Sequence, residues 1–175
     1  GDTLDVFVRL RGVERALCFE PDARNFAALE RRIAVLHELS PGSRFDALPY
    51  GLWNEKTVLR FHDDQGEGSA LGTGGSVEVR CAALDDVLPD GLAPTFVKMD
   101  IEGAEPEALR GARRTVERFR PHLALCVYHR PDHLWTLMLE LASWGCGTRS
   151  TSARSGSAAS TPCSSRCRGN EEEPM

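Results

Sequence analysis

FVKMDIEGAEPEALRGARRTVERFRPHLALCVYHR, residues 96–130, is the stretch whose reading decides the fold. Phe96 to Ile101 is a strand-length apolar run of the kind that is buried in a parallel sheet. Pro106 stands where a first helical residue should, because a missing N–H costs nothing there. Leu109, Ala112, Val116 and Phe119 step by three and four and predict one helix with one buried stripe. Pro121 ends that helix, and His122 to Tyr128 predicts a second strand. Strand, covering helix and second strand in this order form the unit of a parallel sheet.

The same alternation extends outward. Downstream, Asp132 predicts the cap of a last helix whose inner face is Leu134, Leu137, Met138 and Leu141. Upstream, Leu4, Phe7, Val8 and Arg11 fit a first helix capped by Asp2 or Thr3. Ala16 to Phe19 is a short strand ending at Glu20, and Phe26, Leu29, Ile33 and Leu36 mark a helix from Ala23 to Leu39. Phe45 to Leu48 predicts a strand, followed by Tyr50-Gly51-Leu52-Trp53. Val58 to His62 and Val77 to Ala82 alternate, so they predict a hairpin around a loop rich in glycine from Gly66 to Gly75. The fold class expected is α/β, a parallel sheet covered by helices on both faces.

The texture changes at about Gly145. Residues 146–175 contain no Leu, Ile, Val, Phe, Tyr or Trp, so they lack the apolar area that offsets ordering entropy. They are expected to form a disordered low-complexity tail, distinct from the domain in residues 1–145. Its sudden richness in Ser, Arg, Gly and Cys has the look of a frameshifted reading of a GC-rich gene.

Composition excludes several function classes. Net charge is −5, which provides no basic surface for nucleic acid or anionic membrane. No run approaches membrane-span length, so a cytoplasmic enzyme is the expected class. Of six cysteines, Cys18, Cys81 and Cys126 lie in strand-like runs and are expected as small core residues. No CxxC pair occurs, and Cys163 and Cys167 have no histidine nearby, so no metal site is expected. Asp100 with Glu102 would offer a divalent ion few ligands.

Ligands of open parallel sheets sit beyond the carboxyl ends of the strands. Glu20 ends one predicted strand, where it could accept ribose hydroxyls or simply help to cap the next helix. Asp100 leaves a buried strand, where an unpaired carboxylate is costly, and this points to a role in binding or catalysis. Glu102 follows it in the turn, while Glu105 and Glu107 are accounted for by the helix dipole. His129 closes the following strand on the same edge of the sheet and is a candidate general base. His37, His62, His122 and His133 receive no role.

Taken together, ALCFEPDARNFAALERRI, LDDVLP, VKMDIEGAEPEALRGA and PHLALCVYHRPDHLW, in this order, resemble the FkbM family of S-adenosylmethionine-dependent methyltransferases. The resemblance implies a Rossmann-like class I methyltransferase fold and methyl transfer to a hydroxyl oxygen of a natural product or sugar. The cofactor implied is S-adenosylmethionine, and the partner a small-molecule or glycan acceptor. By the same resemblance Glu20 would hold the ribose hydroxyls, Leu52 would line the adenine, and Asp100 would lie by the methionine part and the acceptor. Gly1-Asp2-Thr3 would be the last residues of the family's glycine turn, with the first strand missing before them. The family's closing antiparallel strand pair has no counterpart after Gly145. Catalysis would then fall to Asp100, Glu102 and His129. A nicotinamide-dinucleotide oxidoreductase, which also ends its second strand on an acid, and an inactive fragment are the rival readings.

Overall fold

A computed structural model describes residues 2–61 and 77–145. The glycine-rich loop and the tail from residue 146 lie outside the described residues. The chain is mixed α/β, with its elements arranged as three small sheets and the helices packed on them.

Helix α1 (Asp2–Arg11) leads into β1 (Arg15–Phe19), which pairs in parallel with β2 (Arg44–Leu48). Helix α1 begins at Asp2, so Thr3 lies within the helix and does not cap it. Between the two strands runs α2 (Ala23–Leu39), with the bounds its periodicity predicts. Asp22 starts it by accepting the Asn25 N–H at 2.8 Å. Leu29, Ile33 and Leu36 of α2 then pack on Phe45, with Leu4 and Val8 of α1 closing the cluster. From α2, His37 Nε2 accepts the Phe45 N–H at 3.2 Å, and the two rings stack at 5.3 Å.

The second sheet joins β3 (Gly51–Leu52), β4 (Thr57–Phe61) and β5 (Val77–Ala82). β4 and β5 are antiparallel, as their alternation predicts, and β3 runs parallel to β5. The third sheet is the parallel pair β6 (Phe96–Met99) and β7 (His122–Leu125). Among the described residues the strands do not form one continuous sheet: β1 pairs only with β2, and β6 only with β7. Burial follows from this. Met99 is buried, but Phe96 is 41% exposed, so β6 is not the fully buried strand that its composition predicts.

The expected single helix after β6 is two helices. α4 (Glu105–Arg110) and α5 (Arg113–Phe119) are separated at Gly111 and Ala112. The loop after β3 passes close to this break. A Cβ on Gly111 would sit 2.0 Å from the Trp53 carbonyl oxygen, so the helix passes this loop only by having no side chain there. The N-terminus of α5 is capped from a distance. α3 (Leu84–Val87) presents Asp85, whose carboxylate accepts the N–H groups of Arg114 and Thr115, each at 2.8 Å. Asp85→Ala should therefore cost about 1–2 kcal/mol, the scale of a lost helix cap. Urea denaturation would measure it, and an unchanged midpoint would mean that water replaces the carboxylate.

Leu84, Met99, Leu109, Ala112, Val116, Leu137 and Leu141 form the main core, with Phe19 and Leu52 packed against it. The last helix, α6 (His133–Ser143), buries His133, Leu137 and Leu141. Its inner face is thus turned from the predicted one: Leu134 is 57% exposed, and His133 takes the inner position. Asp132 caps it through its carbonyl and makes no side-chain cap bond. Among the described residues no helix is long and apolar enough to cross a membrane.

Candidate functional site

The turn after β6 builds the site. Glu102 and Gly103 have φ of 54° and 93°, and the Ala104 N–H returns to the Ile101 carbonyl at 3.1 Å. Positive φ at both central residues is the signature of a type I′ turn. Glycine adopts it freely, but for Glu102 the left-handed conformation costs about 1 kcal/mol. The turn brings Glu105, the first residue of α4, back under the strand end, where its Oε1 accepts the Ile101 N–H at 3.0 Å.

Glu105 is completely buried, which a helix-dipole role does not require. Its Oε1 also lies 2.8 Å from His129 Nδ1. An ionised carboxylate only accepts, so with Glu105 in that form Nδ1 is the donor of the pair. Oε2 lies 3.4 Å from His133 Nδ1, and neither atom makes a hydrogen bond. His129 follows β7 by several residues, since the strand stops at Leu125 and not at Tyr128. The Cys126 N–H still bonds the Met99 carbonyl, which carries the chain past the turn. The His129 side chain is only 8% exposed. Its Nε2 is buried without a hydrogen-bond partner, 3.6 Å from Asp100 Oδ1 and 3.4 Å from Glu102 Oε2. The turn therefore brings Asp100, Glu102 and His129 together. It also gathers Glu105 and His133, for which local spacing provides no role. The usable signal is positional: Glu105 opens the helix after the turn, and His133 lies one helical turn beyond His129.

Asp100 is not unpaired. Tyr128 Oη donates to Oδ1 at 2.7 Å, and Lys98 Nζ donates to Oδ2 at 2.8 Å. Partial burial pushes its carboxyl upward, but the hydrogen bonds from Lys98 and Tyr128 outweigh this and hold it at about 2. The bond to Asp100 in turn pushes the Tyr128 phenol up. Of the two candidate bases, a carboxylate held this low is the poorer proton acceptor near neutral pH. The sign for stability follows. A folded-state value below the unfolded one stabilises above about pH 4, and the gain is lost as pH falls towards 2. The side chain is 35% exposed, so solvent screening keeps the contribution below about 1 kcal/mol. Urea titrations of wild type and Asp100→Asn should show a stability gap that closes between pH 4 and about 2. A gap independent of pH over that range would refute the coupling.

Glu20 follows β1, and its Oε1 accepts the Asp22 N–H at 3.0 Å, supporting the cap of α2. No hydrogen bond joins it to Asp100 or His129 among the described residues. Phe19, just before it, packs on the core that holds Met99, just before Asp100, and Leu52 packs on the same core. Gly1 lies outside the described residues, and Asp2 and Thr3 are described only as backbone of α1. Burial pushes the thiols of Cys18, Cys81 and Cys126 up, which leaves them poor nucleophiles. Among the described residues no three His, Cys, Asp or Glu side chains converge to hold a metal ion. A groove bordered by Arg15, Leu17, His37 and Arg44 opens on the β1–β2 pair, and neither Asp100 nor His129 lines it.

Comparison with known proteins gives a consistent result. The family described as Methyltransferase FkbM domain matches residues 2–149. The solved structure of a methyltransferase FkbM from Methylobacillus flagellatus KT is similar, with a TM-score of 0.64 and 29% sequence identity. The match covers 82% of this chain and 34% of that one, so the chain spans about a third of its length. No curated protein matches.

Proposed function

Because the chain belongs to the FkbM methyltransferase family, we propose that it contributes to methyl transfer from S-adenosylmethionine to a hydroxyl oxygen of a small molecule or glycan. The sheets are read as part of a Rossmann-like class I fold. The domain is taken as residues 1–145, close to the end of the family match at residue 149. The observation that carries the reading is His129 Nε2, buried and without a hydrogen-bond partner beside Asp100 and Glu102.

The residues present suit such a donor. Glu20 ends a parallel strand with one oxygen engaged by Asp22 and is assigned to the ribose hydroxyls. Leu52 is assigned to the apolar side of the adenine, and Asp100 to the polar end near the acceptor. Asp2 and Thr3, with Gly1, are assigned to the methionine end. When bound, the donor would supply a methyl carbon made electrophilic by its sulfonium sulfur, for transfer to the acceptor oxygen. The hydroxyl proton then passes to His129 Nε2, the nitrogen whose lone pair is left available by the Nδ1 bond to Glu105. Asp100, fixed by Lys98 and Tyr128, orients the acceptor.

Thermal melting tests the donor assignment. S-adenosylmethionine or its demethylated product should raise the midpoint, and nicotinamide dinucleotide should not; the reverse would favour an oxidoreductase. Glu20→Ala should weaken binding by about 1.5–3 kcal/mol, the scale of a hydrogen bond to a charged group. Equal dissociation constants by calorimetry would leave Glu20 as a capping residue.

A further inference from the structure

We infer that Glu105 is a positioning residue that locks His129 into its Nδ1–H tautomer, so that Nε2 alone is presented to the acceptor. The inference rests on the reading of His129 as the base and adds the group that makes it one.

Three observations carry it. Glu105 is a fully buried carboxylate, and burying one in a core is unfavourable unless its oxygens are bonded. Its Oε1 is bonded twice, to the Ile101 N–H at 3.0 Å and to His129 Nδ1 at 2.8 Å. The charge fixes the direction of the second bond, since an ionised carboxylate has no proton to give and the ring nitrogen must donate. His129 therefore carries its proton on the inner nitrogen. The other nitrogen, Nε2, is left with a lone pair on the side of Asp100 and Glu102. A free histidine side chain prefers the opposite tautomer, so without Glu105 it would present an N–H where the reaction needs an acceptor.

The backbone explains why this pairing is rigid. The turn at Glu102 and Gly103 ties Glu105 to Ile101, and pairing of β7 with β6 brings His129 to it. His133, packed from α6 against the other oxygen, fills the space behind the carboxylate. Neither His129 nor Glu105 can then rotate without opening the core.

The test reads the tautomer directly. In the full chain labelled with ¹⁵N-histidine, at alkaline pH, the His129 ring nitrogens should show Nδ1 protonated and Nε2 bare. Glu105→Gln retains an acceptor oxygen and should keep that pattern. Glu105→Met removes the acceptor, so the proton should move to Nε2. Turnover with an acceptor found by screening should fall on the order of a hundredfold or more in Glu105→Met, as when a histidine base is left in the wrong tautomer. It should fall far less in Glu105→Gln, with KM little changed in both. An Nε2–H tautomer in the wild type, or an Nδ1–H tautomer that survives Glu105→Met, would overturn the inference. If Glu105→Met does not fold, the wild-type tautomer decides alone. The spectrum needs neither donor nor acceptor, so its failure is distinct from a failure of the base assignment, which a fully active His129→Gln would reveal.

Discussion

His129→Gln should lower methyl transfer by roughly 10²–10⁴-fold, the usual contribution of a positioned general base. Glutamine suits the test because its amide can still donate to Glu105 Oε1 while having no basic nitrogen. Alanine would confuse the result by leaving the buried carboxylate with only the Ile101 N–H. Donor affinity, measured by calorimetry, should stay within about twofold, because the interaction lost is made with the acceptor proton in the transition state. The loss corresponds to about 3–5 kcal/mol of transition-state stabilisation. Transfer of labelled methyl at the wild-type rate would remove His129 from the chemistry.

Gly111→Ala should be among the most damaging single substitutions in the chain. The new methyl would stand 2.0 Å from the Trp53 carbonyl oxygen and 3.1 Å from the Asn54 Cα, and both obstacles are backbone. A side chain could rotate away, but this loop is fastened: the Trp53 N–H bonds the Ala82 carbonyl, and Asn54 Nδ2 bonds Glu107 Oε2 at 2.6 Å. Gly111 is held as well, since its carbonyl accepts the Asp85 N–H at 2.9 Å. Overpacking against atoms that cannot yield should cost about 3 kcal/mol or more, a large part of the stability of an ordinary domain. Urea unfolding of the purified variant would measure it, and a change under about 1 kcal/mol would show that the Trp53 loop moves freely.

Both residues show where sequence reading succeeds and where it stops. Helix α2 and the β4–β5 hairpin were legible because apolar periodicity is a local property that burial on one face imposes. The break between α4 and α5 was not. It falls at Gly111, whose close neighbour Trp53 is remote in the chain, and a glycine inside a periodic stripe looks like a tolerated helix residue. The same limit applies to Glu105, where an acid at a helix start has a sufficient local explanation. Its burial is decided by His129 and His133, which arrive from β7 and α6. Asp100 and His129 were legible as candidates because both follow strands that run in parallel. The hydrogen bonds that fix Asp100 were not, since Lys98 and Tyr128 reach it from two different strand ends.

The contact between His37 and β2 bears on the outward side of that strand. In a parallel pair, successive residues bond to alternate sides, and the Phe45 amide is directed away from β1. An amide open on an outer strand is a template for a foreign strand, and repeated pairing there is how chains polymerise. His37 Nε2 occupies that amide, and its ring lies over Phe45, the most apolar side chain of the strand. A neighbouring strand that paired through this amide would first have to displace a stacked ring. The helix that covers one face of β2 therefore also caps one amide of its rim, and a single imidazole makes both contacts.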